Sequence, residues 1–190
     1  LVVNDGSKDA RLTEKTALSF GNKISYFSKP NGGTSSALNL GIKNMTGEYF
    51  SWLSHDDTYY PNKLKAQINV LSKLENKNTI MMTDLDGIDE NYKKIYVTDY
   101  MSHIEQYPPR IHSNIHPIIY NQTHGCTLLI PKICFDVVGL FDEDVRVAQD
   151  FEFFYRAFLE FPHHLIPKVL VTARDSSNRQ GKRSKSSGNV

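Results

Sequence analysis

Asp56 and Asp57 close the polar cluster Ser54-His55-Asp56-Asp57 that follows Tyr49-Phe50-Ser51-Trp52-Leu53, an aromatic run of the kind strands favour. Mg²⁺ and Mn²⁺ take carboxylate oxygens and keep positions for substrate phosphates, so two acids at a strand end suit a metal and diphosphate site. The plain structural alternative is an acidic turn ahead of Pro61. Two further polar clusters follow short apolar runs: Asn4-Asp5-Gly6-Ser7, and Asn31-Gly32-Gly33-Thr34-Ser35-Ser36. A glycine loop before a helix lets backbone amides approach an anion, although a turn with a Ser/Thr cap has the same composition. Neither a GxGxxG dinucleotide fingerprint nor a GxxxxGK[ST] phosphate loop occurs. Asp150, in Gln149-Asp150-Phe151-Glu152, opens a helical stretch, where an acid either complements the helix dipole or acts as a base. His55, His103, His112, His116 and His124 form no recognised zinc spacing, and Cys126 and Cys134 read as small buried hydrophobes in a reducing compartment.

These residues need elements to hold them. Leu1-Val2-Val3 reads as a buried strand, with Ser7 or Asp9 capping a helix that runs to about Phe20. A second strand over Ile24 to Ser28 leads through the glycine loop to a helix over Ser35 to Asn44. After the Tyr49 strand, Leu64, Ile68, Leu71 and Leu74 mark one apolar face of a helix from Pro61 to Glu75, and Thr79 to Thr83 is the next strand. Strands alternating with helices in this rhythm predict an α/β domain with a mostly parallel central sheet flanked by helices. The rhythm breaks at Asp86-Gly87, and Asp84 to Thr123 reads as a hairpin plus an irregular excursion suited to shaping a substrate site. Cys126 to Ile130 is expected as a buried strand, followed by helices over Lys132 to Val138 and Asp150 to Phe161 and a last strand over Ile166 to Thr172. Because open α/β sheets bind ligands at the carboxyl ends of their strands, Asp5, Asn31, Asp56 and Asp57 are expected to share one crevice.

Composition narrows the function class. The 190 residues are enough for one domain, and 39% hydrophobic with ten each of Tyr and Phe describes a chain that folds. A formal net charge of +1 excludes nucleic acid as the main partner. The longest apolar stretches are a handful of residues, far below the roughly 20 of a membrane-spanning helix. Residues 174–190 hold five basic residues and one acid among Ser and Gly, a tail expected to be disordered unless a ligand orders it.

Taken together, Val3 to Asp9, Asn31 to Gly41, Thr46-Gly47-Glu48-Tyr49 and Ser54-His55-Asp56-Asp57 resemble the donor half of family 2 glycosyltransferases of GT-A fold. Gly125 to Pro131, Gly139-Leu140-Phe141-Asp142-Glu143 and Gln149 to Glu152 resemble the acceptor half. The resemblance implies one GT-A domain over 1–173, with a donor half at 1–83, an acceptor half at 84–173 and the tail beyond. It implies an inverting enzyme using a nucleotide-sugar, with a UDP-sugar the expected class, in cell-surface polysaccharide or glycan synthesis. Asp5 and Gly6 would border the nucleotide, Asp5 accepting hydrogen bonds from its base, with Asn31 at the same pocket. Asp56 would take Mn²⁺ or Mg²⁺ with Asp57 beside it, and Ser54 stands where the family's common motif has an acid, its hydroxyl replacing the ribose contact. Asp150 would be the general base.

The same resemblance implies a glycan or lipid-linked acceptor and allows a homodimer. It places the protein in the cytoplasm, at the inner membrane face if segments outside this sequence bind there. A first strand with its Pro-x-Tyr/Phe-Asn turn is expected ahead of Leu1, so the sequence reads as truncated at its N-terminus. Two other readings stand beside this one: a sugar nucleotidyltransferase-like enzyme, and a truncated domain without activity that serves binding or assembly.

Overall fold

Residues 1–9, 11–107 and 113–174 are described by a computed structural model. In chain order the elements are β1 (Val2–Asn4), α1 (Leu12–Leu18), β2 (Tyr26–Ser28), α2 (Thr34–Lys43), β3 (Tyr49–Phe50), β4 (Thr58–Tyr59), α3 (Lys63–Leu71), β5 (Ile80–Ile88) and β6 (Lys94–Val97), followed by α4 (Tyr100–Glu105), α5 (His116–Ile119), β7 (Ile130–Pro131), α6 (Ile133–Val138), α7 (Gln149–Glu160) and β8 (His163–Arg174). Short 3₁₀ turns occupy Gly21–Lys23 and Gly125–Thr127.

The α/β alternation is as expected, but the strand pairing is mixed. β1 and β2 pair in parallel and β3 pairs antiparallel with β7. A four-stranded sheet of order β4-β8-β5-β6 contains one parallel pair, β5 with β8, between two antiparallel ones. β5 runs on to Ile88, so Asp86-Gly87 lies inside a strand and not in a turn. The expected hairpin follows it as β5-β6, and the rest of the excursion carries α4 and α5. The expected strand at Cys126 to Ile130 is a 3₁₀ turn and a two-residue strand, because Met81 and Leu129 exchange backbone bonds of 3.0 and 2.9 Å as an isolated bridge.

The main core forms where one face of α7, namely Phe153, Phe154, Ala157 and Phe158, meets Ile80 and Met82 of β5, Leu128, Ile130, and Cys134 and Phe135 of α6. Phe153 stacks on Phe141 at 4.2 Å and on Phe135 at 5.3 Å between ring centroids, which fixes the start of α7 against the segments before it.

α3 departs from its apolar pattern. Leu64 and Ile68 are 45% and 43% exposed, while Lys63 and Gln67 are fully buried beside Leu71. The polar ends explain the rotation: Lys63 Nζ donates to Ser51 Oγ (3.0 Å) and Leu128 O (3.2 Å), and Gln67 Nε2 to Thr127 O (2.8 Å). A buried polar group is tolerated once it is hydrogen-bonded, and here the bonds tie α3 to the 127–128 segment. The tail expected over 174–190 lies outside the described residues apart from Arg174, which ends β8.

Candidate active site

Asp5 follows β1 directly, and its carboxylate organises the glycine loop. Oδ1 accepts from Lys29 Nζ (2.7 Å) and from the Gly32 N–H (3.0 Å), and Oδ2 from the Gly33 N–H (2.8 Å) and Asn31 Nδ2 (3.2 Å). Burial works against the charged form, but the Lys29 and backbone donors outweigh it and hold the carboxyl below its usual value. An ionised carboxylate offers about four acceptor sites, and these donors use them. Asn31 Nδ2 also reaches Asp5 O (2.8 Å). Gly6 makes this approach possible: its φ is +74°, and a Cβ there would lie 2.7 Å from Asn31 N.

Beside this loop is a cleft of about 430 Å³ lined by Asp5, Asn31 to Ser35, and, from the far end of the sequence, Glu143, Val145, Arg146 and Gln149. Arg146 reaches across it to donate to Gly32 O at 3.1 Å. Buried Asn39 of α2 fastens the two walls, donating to Phe141 O (2.9 Å) and Glu143 Oε1 (2.9 Å) and accepting from the Phe141 N–H (3.0 Å). Asp150 comes one residue after Gln149, half-buried in the first turn of α7, with Oδ1 accepting from the Phe151 N–H at 3.0 Å. The bend that turns the chain into α7 is Ala148, left-handed at φ 57°.

Ser54, Asp56 and Asp57 lie on the loop between β3 and β4. The Asp57 side chain is fully buried: Oδ2 accepts from the Cys126 thiol (3.1 Å) and lies 3.9 Å from His124 Nε2, while Oδ1 accepts from the Arg174 N–H (3.1 Å). Ser54 turns toward the same sulfur, with its N–H 3.3 Å and its Oγ 3.5 Å away. Burial pushes the Cys126 thiol up to about 12, so it is a neutral donor to Asp57. The Asp56 side chain remains 21% exposed, with Oδ1 4.0 Å from His55 Nδ1. Gly125 lets the Trp52 ring close over this turn, since a Cβ would meet the ring at 2.3 Å.

The structure therefore brings Asp5, Gly6 and Asn31 together at the cleft with Asp150 adjoining it. Asp56 and Asp57 do not line that cleft, contrary to the shared crevice expected, because the β3–β4 loop is drawn to the Cys126 turn, where Ser54 and Asp57 bond the sulfur and Asp57 also takes the Arg174 N–H. Sequence reasoning passed over Arg146 and Lys63, set His124 aside for want of a zinc spacing, and read Cys126 only as a buried hydrophobe. For Cys126 and His124 the available signal was the tripeptide His124-Gly125-Cys126, which matches no familiar ligand spacing. Arg146 carried no local signal.

The sequence matches the family model for glycosyl transferase family 2 over residues 1–134. The chain belongs to glycosyl transferase family 2. Its relatives in the family include an "uncharacterized glycosyltransferase" of Rickettsia prowazekii, 44% identical over 182 residues, which cover 94% of this chain and 56% of that protein. A more distant one is the minor teichoic acid biosynthesis protein GgaB of Bacillus subtilis, 27% identical over 157 residues, covering 79% of this chain and 16% of GgaB. The chain thus spans little more than half the length of the Rickettsia relative. Among solved structures, S. aureus TarS 1–349 in complex with UDP-GlcNAc superposes with a TM-score of 0.71 at 20% identity, covering all of this chain and 52% of that one. The fold of this family 2 member is accordingly GT-A-like. No helix among the described residues is long and apolar enough to cross a membrane.

Proposed function

We propose that this chain is the catalytic domain of an inverting glycosyltransferase that moves a sugar from a UDP-sugar to a hydroxyl of a glycan or lipid-linked acceptor. The observation that carries this reading is the cleft itself. One wall is the glycine loop held by Asp5 and the first turn of α2, whose Thr34 and Ser35 line the cleft at a helix start of the kind that receives phosphate, and the other wall leads straight into Asp150. TarS, which has the same fold, has been solved with UDP and with UDP-GlcNAc, which supports a uridine nucleotide as the donor class.

In this reading Asp5 acts through the loop. Its acceptor sites are taken by Lys29, Asn31, Gly32 and Gly33, so it shapes the nucleotide pocket and leaves direct base contact to neighbours such as Asn31. Of the paired acids, Asp56 fits a donor-linked metal, being partly exposed on the loop just before β4, whereas both Asp57 oxygens are bonded inward and brace the loop. Mn²⁺ or Mg²⁺ at Asp56 would supply positive charge to the diphosphate. Arg146 adds a cation at the cleft.

Asp150, oriented by the Phe151 N–H, takes the acceptor hydroxyl proton as that oxygen bonds to the anomeric carbon. The bond from that carbon to the diphosphate breaks on the opposite side, UDP leaves with the electron pair, and the configuration inverts. With UDP-GlcNAc as donor, Asp150→Asn should bind UDP as the parent chain does and release UDP about 10²–10⁴-fold more slowly in the presence of acceptor. Unchanged release would refute the role of Asp150.

A further inference from the structure

We propose that Asp57, His124 and Cys126 form a zinc-class metal site, a carboxylate–imidazole–thiolate trio distinct from the Asp56 position. Their ligand atoms all lie within 4.8 Å of one another, although Asp57 and Cys126 are 69 residues apart in sequence. Tetrahedral zinc, with bonds of about 2.3 Å to sulfur and 2.0–2.1 Å to nitrogen or oxygen, needs donor separations of roughly 3.3–3.6 Å. The observed 3.1 Å from Cys126 Sγ to Asp57 Oδ2 and 3.9 Å from His124 Nε2 to the same oxygen bracket that range.

The donor set selects the metal. A thiolate beside an imidazole suits zinc and its neighbours in softness, whereas Mg²⁺ and Mn²⁺ prefer oxygen alone. Charge also favours the site: a divalent ion with one thiolate, one carboxylate and a neutral imidazole sums to zero, which suits a setting where Asp57 and Cys126 are buried. Binding releases the thiol proton to solvent and gives up two weak contacts, the thiol bond to Asp57 and the 3.3 Å Cys126 N–H to His124 Nδ1 bond. His124, with 30% of its side chain exposed, is the side from which an ion arrives, and three protein donors leave a fourth corner for water. The site closes the Ser54–Asp57 loop onto the 124–126 turn and onto Arg174 at the end of β8, so its occupancy would fix the loop that carries Asp56.

Co²⁺, added to the purified chain without nucleotide, reports the site directly. The expected result is a near-ultraviolet thiolate-to-cobalt charge-transfer band with visible bands of a four-coordinate ion, bleached by one equivalent of Zn²⁺. Cys126→Ser should abolish the charge-transfer band, and Cys134→Ser should leave it unchanged. His124→Ala should weaken Co²⁺ affinity at least about tenfold, and it serves as the deciding variant if Cys126→Ser shows no cooperative urea melt. No charge-transfer band in the parent chain, or a band that survives Cys126→Ser, would overturn the proposal. Sugar transfer is not needed for either outcome, so the test stands apart from the reading of the cleft.

Discussion

Asp5 and Gly6 show how the proposed nucleotide pocket would be shaped by residues that need not touch the ligand. The Asp5 carboxylate gathers two consecutive backbone N–H groups, and a side chain at Gly6 would collide with the backbone of the loop it holds. Gly6→Ala therefore faces two penalties, a left-handed backbone and a Cβ 2.7 Å from Asn31 N. Strain of this kind costs on the order of 1–3 kcal/mol, so the variant should unfold at lower urea and bind UDP roughly tenfold more weakly, as titration of both would show. Equal UDP affinity would mean that the Asn31 loop is not part of the nucleotide pocket. At this scale residue type and position were enough to single out Asp5, Asn31 and Asp150 as candidates. That Asp5 spends its acceptors on its own loop, and Asp57 on Cys126 and Arg174, was not legible, because it depends on partners 24 to 117 residues away.

Among the elements, α3 carries the clearest conflict between pattern and packing. Leu64 and Ile68 suggested one buried face, yet the helix is turned so that Lys63 and Gln67 enter the interior and bond the chain at 127–128. Burial lowers the Lys63 ammonium from 10.5 to about 7, and a neutral amine keeps two N–H donors for its two acceptors, Ser51 Oγ and Leu128 O. The sign of the pH effect follows. Between about pH 7 and 10.5 the unfolded chain binds a proton at Lys63 that the folded chain has given up, so this residue makes stability rise with pH across that window. Lys63→Met should flatten that rise, read as the urea midpoint from neutral to alkaline pH; an unaltered slope would show that Lys63 stays charged in the fold. Periodicity could not foresee this, because it scores a side chain by its type and not by whether a carbonyl waits for its polar end. The same blindness explains the strand expected at Cys126 to Ile130, where a 3₁₀ turn aims Cys126 at Asp57 instead. α2 and α7, whose starts are marked by a glycine loop and by Gln149-Asp150, fell within a residue of expectation.

For the molecule as a whole, the long-range ties matter most. β8 joins β4 and β5 in one sheet, Asn39 bonds Phe141 and Glu143, and the Phe-rich face of α7 packs on β5 and α6, so the glycine loop and the segment leading into Asp150 line one cleft although they are far apart in sequence. The α/β class was readable from the rhythm of strands and helices. The mixed pairing was not, because register and direction are set by partners that enter late in the chain, β7 and β8 above all. The proposed donor site is this cleft, which would hold a uridine diphosphate, together with a metal at Asp56 on the β3–β4 loop, outside the residues that line the cleft. Calorimetric titration of UDP with and without Mn²⁺, on the parent chain and on Asp56→Ala, tests it most directly. Mn²⁺ should strengthen UDP binding at least about tenfold in the parent and have no effect in Asp56→Ala, a coupling of about 1.4 kcal/mol or more. UDP binding that is absent, or equally strong without Mn²⁺, would contradict it.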